Sequence, residues 1–366
     1  MGRFGNQGEQ LLGSLLFAKH LNRTLVLPPF IEYKNFEVMF ASFDKYIEVE
    51  PISIYTRVVT MEIFMESIAP NIWRPDDRVI MCYKSRGTQN EGCNPFEGNP
   101  FKPFWFHFNI THFKSSEFHH PLSTSFEQAQ SWNERYKNFK VLTFVGAPSP
   151  FPTAEEAVPL AEYINLSSLV KKMAMDYRES RGFARKPYLA LHLRHGSDWI
   201  QACKLLKENA MSEFFSSQQC TAKLGREARI SLPYELCNPS FKTIVDYLSE
   251  ALNYESNVHK IETVYIATDS DNKKLWEKLK RSFKNITFIT PTTTYGTETV
   301  KKYKPPHYIV DIYLMTYSNF FIGNCISSFT AFASRIRTFN LHLGKATKFF
   351  GEMLLYENYN FVKDEL

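Results

Sequence analysis

Residues 188–194 of the chain read YLALHLR, an apolar run closed by a cation. A short apolar run of this kind predicts a buried β-strand. Similar runs recur further along the chain, and residues at helical spacing separate them. We predict strands at 188–193, 263–268, 286–289 and 319–323, and helices at 169–181, 241–252, 273–283, 309–316 and 329–337. Strands that alternate with helices predict a parallel, Rossmann-like sheet.

A second α/β unit is indicated at the start of the chain. Residues 2–7 read GRFGNQ, and residues 7–21 carry leucines at helical spacing. LVL at 25–27 predicts a short buried strand, ended by Pro28 and Pro29. A glycine-flanked turn that enters a helix normally follows a strand in a βαβ unit. We therefore expect a strand ahead of this turn, which the N-terminal domain lacks in the chain as given.

The stretch GAPSPFP at 146–152 predicts a linker between two domains. It places an N-terminal Rossmann-like domain at residues 1–155 and a C-terminal Rossmann-like domain at residues 156–366. The 366 residues suit two domains of ordinary size. Two Rossmann-like domains that face each other across a cleft form the α/β architecture called GT-B, which is the fold class we predict.

Charge and hydropathy exclude two classes of partner. The net charge is +5 and no long run of Lys and Arg occurs, so we expect no nucleic-acid partner. No apolar run approaches the roughly 18 residues that are needed to span a bilayer. A few cations in a cleft, serving an anionic ligand, suit this charge better.

Three features predict residence in the lumen of the endoplasmic reticulum. The chain ends in KDEL at 363–366, an address that a retrieval receptor recognises. Its six cysteines are an even number, which favours an oxidising compartment, although sequence alone allows 15 pairings. The absence of a signal peptide after Met1 conflicts with this prediction. The third feature is a set of potential glycosylation sites. N-glycosylation sequons occur at Asn22, Asn109, Asn165 and Asn285.

Ligands of doubly wound sheets bind at the carboxyl ends of the strands. Arg194 closes the strand at 188–193, where its guanidinium can bind a diphosphate through two N–H groups, or can pair with Asp198 instead. Ser327 and Ser328 precede the helix at 329–337. They predict either a plain N-cap or an anion site at the helix N-terminus, and the two roles are compatible.

Two carboxylate positions allow more than one interpretation. The spacing of Asp269 and Asp271 is typical of a divalent-metal site, but we favour a cap on the helix that begins at Lys273. Asp311 lies on an apolar helix, so it is either a buried carboxylate with a partner or a residue that faces the cleft. P-loop, serine-elbow and zinc-protease motifs do not occur. A glycosidase pair of carboxylates stays open, since its separation is not encoded in sequence.

Taken together, these motifs resemble the family of GDP-fucose protein O-fucosyltransferases that act on EGF-like repeats. The resemblance spans nearly the whole chain, and the motifs occur in the family's order. They are GRFGNQ at 2–7, NRTL at 22–25, PP at 28–29, HLR at 192–194 with GSDW at 196–199, ATDS at 267–270, and FIGNC at 321–325 with SSFTAF at 327–332.

The resemblance implies an inverting enzyme that needs no metal and no cofactor beyond its co-substrate GDP-β-L-fucose. The acceptor it implies is a Ser or Thr hydroxyl in a folded EGF-like repeat of a Notch-type protein. By the resemblance, the domain at 1–155 is on the acceptor side and the domain at 156–366 binds GDP-fucose. Arg194 is implied to stabilise the leaving GDP, and Asn6 is implied to be a loop residue at the reacting centre. The further residues implied to bind GDP-fucose are Arg3, Phe4, Gly5, His192, Leu193, Asp311, Ser327, Ser328 and Phe329. The implied disulfides are Cys82–Cys93, Cys203–Cys237 and Cys220–Cys325.

Two other functions stay open at this point. A non-catalytic folding helper for EGF-repeat proteins could keep the fold and lose the phosphate site, although Arg194, Ser327 and Ser328 favour the enzyme. A related fucosyltransferase could act on thrombospondin-type repeats. The glycines and Asn6 in the first motif favour the EGF-repeat acceptor, because an acidic residue there would offer a general base.

Overall fold

Two units make up the chain, Met1–Ser167 and Ser168–Leu366. The computed structural model describes residues 2–34, 37–83, 94–119, 125–224, 230–256, 260–270, 272–290 and 307–356. The boundary lies beyond the predicted one at 155/156, because the 3-10 segment Glu155–Tyr163 packs against the first helix of the N-terminal unit. No helix in these described ranges is long and apolar enough to cross a membrane.

In its described residues, the N-terminal unit is a mixture of helices and three small sheets. Strands β1 and β4 pair in parallel, β2 and β3 form an antiparallel hairpin, and β5 pairs in parallel with both β6 and β7. Its helices are α1 (Phe4–His20), α2 (Phe43–Tyr46), α3 (Val49–Tyr55), α4 (Met61–Ile63), α5 (Ala69–Ile72), α6 (Phe101–His107) and α7 (Phe126–Arg135). Its strands are β1 (Leu25–Leu27), β2 (Phe30–Lys34), β3 (Glu37–Ala41), β4 (Val58–Thr60), β5 (Val79–Tyr83), β6 (Ser115–His119) and β7 (Thr143–Phe144).

Helix α1 begins at Phe4, earlier than the predicted start at Gln7. The side chain of Gln7 explains how the helix is anchored there. Its amide nitrogen donates to the carbonyl oxygens of Gly2 at 3.1 Å and Ile31 at 2.9 Å, and its oxygen accepts from the backbone N–H of Ile31 at 2.9 Å. Gln7 thus ties the residues before α1 to β2, which supports the first turn of the helix.

The part of the C-terminal unit that the structure describes contains one sheet of five parallel strands in the order β10-β9-β8-β11-β12. Helices precede or follow most of the strands, as the alternating pattern predicts. The strands are β8 (Leu189–Leu193), β9 (Thr263–Thr268), β10 (Thr287–Ile289), β11 (Phe320–Gly323) and β12 (Thr347–Phe349). The helices are α8 (Ser168–Ser180), α9 (Ser197–Glu208), α10 (Gln218–Thr221), α11 (Phe241–Ser256), α12 (Lys273–Ser282), α13 (His307–Thr316) and α14 (Ser328–Arg335).

The two faces of the C-terminal sheet bury different residues of β8, because successive side chains of a strand point to opposite faces. Leu189, Leu191 and Leu193 are completely buried in a core shared with α11 and α12. The intervening residues, which include His192, point to the face where α13 packs on β8 and β9. Both faces of the central strand β8 are therefore covered, which explains why its sequence is a nearly continuous apolar run.

The strand order has a switch point between β8 and β11. From β8 the chain builds outward through β9 and β10, and it then returns to the other side of β8 to add β11 and β12. In open parallel sheets, loops on the two sides of a switch point diverge and leave a crevice at the carboxyl ends of the strands. The residues after β8 and β11 are therefore placed to bind a ligand.

The predicted helices and strands of the C-terminal unit agree with the observed ones to within a few residues, but α9, α10 and β12 were not predicted. Helix α9 begins at Ser197 directly after the β8 loop, and β12 adds an edge strand near the end of the sheet. The cap predicted for the helix at Lys273 is wrong. Asn272 is the N-cap of α12, and its side-chain oxygen accepts from the backbone N–H of Leu275 at 3.1 Å.

Candidate anion-binding site at the switch point

Arg194 follows directly after β8, and its guanidinium contacts two carboxylates. One nitrogen donates to Asp198 at 2.7 Å and the other donates to Asp269. The Arg194 side chain is 20% exposed, so a ligand can still reach it from solvent. The guanidinium carbon also lies 5.7 Å from the centre of the Trp199 ring. These contacts hold the cation at the carboxyl end of the central strand, where a diphosphate would bind.

The N-terminus of α14 lies at the carboxyl end of β11. Ser327 is its N-cap, and its hydroxyl oxygen accepts from the backbone N–H of Phe329 at 3.3 Å. Ser328 and Phe329 form the first turn and are half-buried. Backbone N–H groups and the helix dipole make such a terminus favourable for an anion. The predicted cap at Ser327 is confirmed, and it is compatible with the predicted anion site.

Gly323 at the end of β11 lets α14 approach the strand closely. A Cβ atom at this position would lie 2.5 Å from Cγ2 and 2.9 Å from Oγ1 of Thr330, and such distances do not occur between real side chains. Thr330 is completely buried and its hydroxyl is 2.6 Å from Nδ1 of His192. The missing side chain of Gly323 therefore allows the contact between α14 and β8.

His192 lies beneath this contact as a neutral group. Burial, with a smaller contribution from the nearby Arg194 charge, lowers the pKa of His192 to about 3. Its ring is 5.2 Å from the ring of Phe329. A neutral, hydrogen-bonded imidazole cannot neutralise a phosphate, so its geometry supports a role in holding the first turn of α14 in place.

Asp311 on α13 is a buried carboxylate with a partner, which was one of the two interpretations of the sequence. The hydroxyl of Tyr265 on β9 donates a hydrogen bond to it. Burial raises the pKa of Asp311 to about 7, and the hydrogen bond from Tyr265 offsets part of that rise. Burial, followed by the Asp311 charge, raises the pKa of Tyr265 well above its usual value. The pair lies on the same face of the sheet as His192.

Leu193 has its side chain in the core shared with α11 and α12, where it is completely buried. Its carbonyl oxygen accepts from the hydroxyl of Thr268 at 2.7 Å. The side chain therefore serves packing between the sheet and its helices. Its proposed part in nucleotide binding would have to come from the backbone near the end of β8.

Asn324 joins the two loops of the switch point, and sequence reasoning did not select it. Its side-chain oxygen accepts from the backbone N–H of Arg194 at 2.8 Å, and its amide nitrogen donates to the carbonyl oxygen of Cys237 at 2.9 Å. Asn324 is completely buried. The sequence does carry a signal for this role. Asn324 stands between an apolar strand and a cysteine, and an amide side chain that is buried there needs polar partners.

Two disulfides support the same loops. Cys203–Cys237 has a Cα–Cα distance of 5.8 Å, and Cys220–Cys325 has one of 5.9 Å, so both predicted pairings are present. Around the second bridge, the backbone N–H of Ser216 donates to the carbonyl oxygen of Ile326 at 3.1 Å. Cys82 is also disulfide-bonded, and its predicted partner Cys93 lies outside the described residues.

The predicted site residues of the N-terminal unit gather at the start of α1. Phe4 is buried and stacks on Phe30 with 5.0 Å between ring centres, so its side chain belongs to the core. Gly5 is buried, Asn6 is half-buried and Arg3 is exposed. Asn6 lies in the first turn of α1, so its prediction as a loop residue is wrong. The helix begins at Phe4, earlier than expected.

A cavity of about 530 Å³ lies in the N-terminal unit among α1, β1 and β7. Its walls are mainly apolar, and none of the residues implied to bind GDP-fucose lines it. Size alone would favour it as a ligand site. The charges and hydrogen-bond donors that a nucleotide diphosphate needs are instead at the switch point of the C-terminal sheet, which we therefore take as the candidate site.

The carboxylates predicted as alternative metal ligands have other contacts where the structure describes them. Oδ1 of Asp269 accepts from the backbone N–H of His195 at 2.7 Å and of Gly196 at 3.0 Å. Asp271 lies outside the described residues. Within the described ranges, no group of three or more His, Cys, Asp or Glu side chains is arranged to hold a metal ion.

Comparisons with known proteins agree on one family. A family model described as GDP-fucose protein O-fucosyltransferase matches residues 1–340. GDP-fucose protein O-fucosyltransferase 1 of Caenorhabditis elegans is 31% identical over 364 residues, which cover 96% of this chain and 88% of that protein.

Solved structures of the same family share the fold of this chain. Crystal structures of POFUT1 with GDP and with GDP-fucose are each 30% identical in sequence, with TM-scores of 0.81 and 0.80. Each match covers 96% of this chain, and it covers 96% of the chain in the GDP complex and 95% in the GDP-fucose complex. The predicted GT-B fold class is confirmed.

Proposed function

The chain belongs to the GDP-fucose protein O-fucosyltransferase family, and from that premise we propose that it transfers fucose from GDP-fucose to a Ser or Thr hydroxyl of a folded EGF-like repeat. One observation supports this function most directly. Arg194 after β8 and the N-terminus of α14 after β11 lie at the carboxyl ends of two neighbouring parallel strands. This is the position where a doubly wound sheet binds a nucleotide diphosphate.

The proposed chemistry follows from the charges that develop in the reaction. The acceptor hydroxyl forms a bond to the anomeric carbon while the bond from that carbon to the phosphate oxygen breaks. The bonding electrons leave with GDP, so negative charge grows on the β-phosphate. Arg194 and the backbone N–H groups of the first turn of α14 stabilise this charge, and they need no reorganisation at that moment. Attack from the face opposite the leaving phosphate inverts the anomeric configuration.

Deprotonation of the acceptor hydroxyl comes late in this proposal. As the bond to GDP breaks, the anomeric carbon becomes electron-poor and acidifies the hydroxyl that attacks it, and the proton is released to water as the new C–O bond forms. Among the described residues at the switch point, the carboxylates of Asp198 and Asp269 both contact Arg194, so neither is placed to act as the base. The role of Asn6 at the reacting centre stays a prediction from the sequence.

We further propose that the transfer needs no divalent metal. In many enzymes that act on nucleotide diphosphates a metal ion neutralises the charge of the leaving group. Here a guanidinium and a helix N-terminus are present for the same purpose. The oxygens of Asp269 already accept hydrogen bonds from two backbone N–H groups and from Arg194.

The lumen of the endoplasmic reticulum is the proposed location, and disulfide-bonded EGF-like repeats of Notch-type proteins are the proposed acceptors. Both bridges of the C-terminal unit would be stable in that oxidising compartment. The sequon asparagines Asn22, Asn109 and Asn285 are exposed, whereas Asn165 is half-buried. The retrieval sequence at 363–366, which would engage the retrieval receptor, lies outside the described residues.

A transfer assay tests the whole proposal. The purified chain is incubated with radiolabelled GDP-fucose and a folded EGF-like repeat, and label in the repeat is counted with and without EDTA. We expect incorporation that EDTA does not change. A reduced, unfolded EGF-like repeat and a thrombospondin-type repeat serve as controls for the acceptor. Label in neither folded repeat would contradict the activity, label in the thrombospondin-type repeat alone would contradict the acceptor, and loss with EDTA would contradict metal independence.

A further inference from the structure

The carboxylate of Asp269 accepts hydrogen bonds from the side chain of Arg194 and from the backbone N–H groups of the two residues that follow it. We propose that Asp269 is a positioning residue, which acts through Arg194 and holds its guanidinium and backbone in the geometry that receives the diphosphate of GDP-fucose. The inference rests on the proposed function, because it concerns how the same site is organised.

The carboxylate of Asp269 binds the side chain and the backbone of one turn at the same time. One oxygen accepts from the backbone N–H of His195 at 2.7 Å and of Gly196 at 3.0 Å, and the other accepts from the Arg194 guanidinium. A carboxylate that bound only the guanidinium would leave the backbone to move. One that bound only the N–H groups would leave the side chain to rotate. Asp269 restrains both.

Strand pairing explains why Asp269 lies at this place. β8 and β9 are parallel neighbours, and Leu193 is in register with Thr268. The residues that follow, Arg194 and Asp269, therefore leave the sheet side by side. The hydroxyl of Thr268 donates to the carbonyl oxygen of Leu193 at 2.7 Å and accepts from the backbone N–H of Ser270 at 3.1 Å. Asp269 is thus held by bonded neighbours on both sides.

Gly196 provides the room for this carboxylate. A Cβ atom at position 196 would lie 2.4 Å from Oδ2 of Asp269 and 2.8 Å from Oδ1 of Asp198. The backbone of Gly196 and the carboxylate could not approach each other as closely with any side chain present. Glycine at position 196 therefore allows the carboxylate of Asp269, which follows the neighbouring strand β9, to contact the backbone of this loop.

Asp198 contacts the same guanidinium but is less firmly held. Its side chain is 66% exposed, against 26% for Asp269, and it contacts the Arg194 guanidinium at 2.7 Å. One guanidinium between two carboxylates leaves a net negative charge, which opposes an incoming diphosphate. A solvent-exposed ion pair contributes little free energy, so the Arg194–Asp198 pair is the weaker of the two. The diphosphate therefore competes with Asp198 for the guanidinium, while Asp269 keeps the guanidinium in place.

A double-mutant cycle with Arg194 tests the inference. Asp269→Asn keeps an oxygen for the backbone N–H groups and presents an amide to the guanidinium, whereas Asp269→Ala removes both contacts. Each is made in the wild type and in Arg194→Ala, and GDP affinity is measured by calorimetry beside kcat and KM. Asp246→Asn removes the same charge from an exposed pair with Lys242 on α11 and serves as the matched control.

We expect Asp269→Asn to lower kcat/KM and GDP affinity by about 10-fold or more, which is the usual effect of a lost hydrogen bond to a charged group. In the Arg194→Ala background the same change should cost less than about 2-fold, because the partner is already gone. Asp246→Asn should leave both quantities unchanged. Equal losses in both backgrounds, or no loss with a folded Asp269→Asn variant, would overturn the inference.

Two further results separate this inference from the proposed function. If Arg194→Ala alone keeps full transfer and GDP affinity, the role of Arg194 in the proposed function fails, whatever residue 269 does. If the Asp269 variants do not fold, Gly196→Ala displaces the carboxylate without removing it and should lower GDP affinity by about the same factor. A folded Gly196→Ala variant with wild-type GDP affinity would contradict the positioning role.

Discussion

The backbone N–H of Arg194 donates a 2.8 Å hydrogen bond to the side-chain oxygen of Asn324. Arg194 follows β8 and Asn324 follows β11, so this bond joins the two loops on either side of the switch point. Both loops are also tied by disulfides, through Cys203–Cys237 and Cys220–Cys325. The cation and the helix N-terminus are thus held together before any ligand binds. Such preorganisation is what electrostatic catalysis requires.

Replacement of Arg194 should abolish most of the transfer. Arg194→Ala removes the guanidinium at the end of β8, and we expect turnover to fall by about 10²-fold or more. Arg194→Lys keeps the charge but not the planar pair of N–H donors, so it should recover only part of the loss. Lys242→Ala, which removes an exposed cation from α11, is the control. A folded Arg194→Ala variant with near-normal turnover would refute the assignment.

Asp311 should make stability depend on pH. Burial raises its pKa to about 7, whereas an aspartate in an unfolded chain has a pKa of about 4. Between these values the folded protein keeps a proton that the unfolded chain releases, so the free energy of unfolding falls as pH rises from about 4 to about 7. Each unit of difference in pKa contributes about 1.4 kcal/mol.

The isosteric change Asp311→Asn removes this titration, and its amide oxygen can still accept from Tyr265. We expect the variant to melt at a higher temperature than the wild type at pH 8 and to lose less stability between pH 5 and pH 7. Thermal unfolding at several pH values checks this, with Asp246→Asn as the exposed control. Identical pH dependence in the wild type and Asp311→Asn would show that Asp311 is not the group responsible.

Gly323→Ala should disturb the contact between β11 and α14. The added methyl would lie 2.5 Å from Cγ2 of Thr330 and displace the hydroxyl that contacts His192. We expect a loss of about 1–3 kcal/mol in the free energy of unfolding, together with weaker GDP binding. At Gly344 the nearest atoms to an added Cβ are 3.4 Å away in Thr338, so Gly344→Ala is the control. Normal GDP affinity in Gly323→Ala would contradict the proposed role of α14.

Removal of the Cys220–Cys325 bridge should cost more stability than removal of Cys203–Cys237. The first closes 105 residues and the second closes 34, and loop-closure entropy alone predicts a difference of about 1 kcal/mol. Paired alanine substitutions compared by chemical denaturation measure it. The first variant should also bind GDP more weakly, since Cys325 precedes the cap of α14. A larger loss from the second pair would show that local packing outweighs chain entropy.

Local patterns predicted most elements of the C-terminal unit because β8, β9 and β11 are mainly apolar runs, whereas β12, which contains Lys348, was not predicted. β9 is found at 263–268 as predicted, and β8 begins one position later than predicted, at Leu189. The hairpin of β2 and β3 was not predicted, since polar residues such as Glu32 interrupt its apolar pattern. Glu32 is nevertheless buried with Tyr46 as its hydrogen-bond donor. A contact with a residue that is distant in sequence therefore overrides the local signal.

The amino-acid sequence by itself determined the alternation of strands and helices, the cap at Ser327 and the family to which the chain belongs, because these depend on neighbouring residues and short motifs. The tertiary structure alone decided which groups surround Arg194. Asp269 is 75 residues away along the chain and reaches Arg194 only through the parallel register of β8 and β9. Asn324 is 130 residues away and reaches it because β11 pairs with β8 on the other side. Strand order in a sheet places such residues, and no local pattern encodes that order.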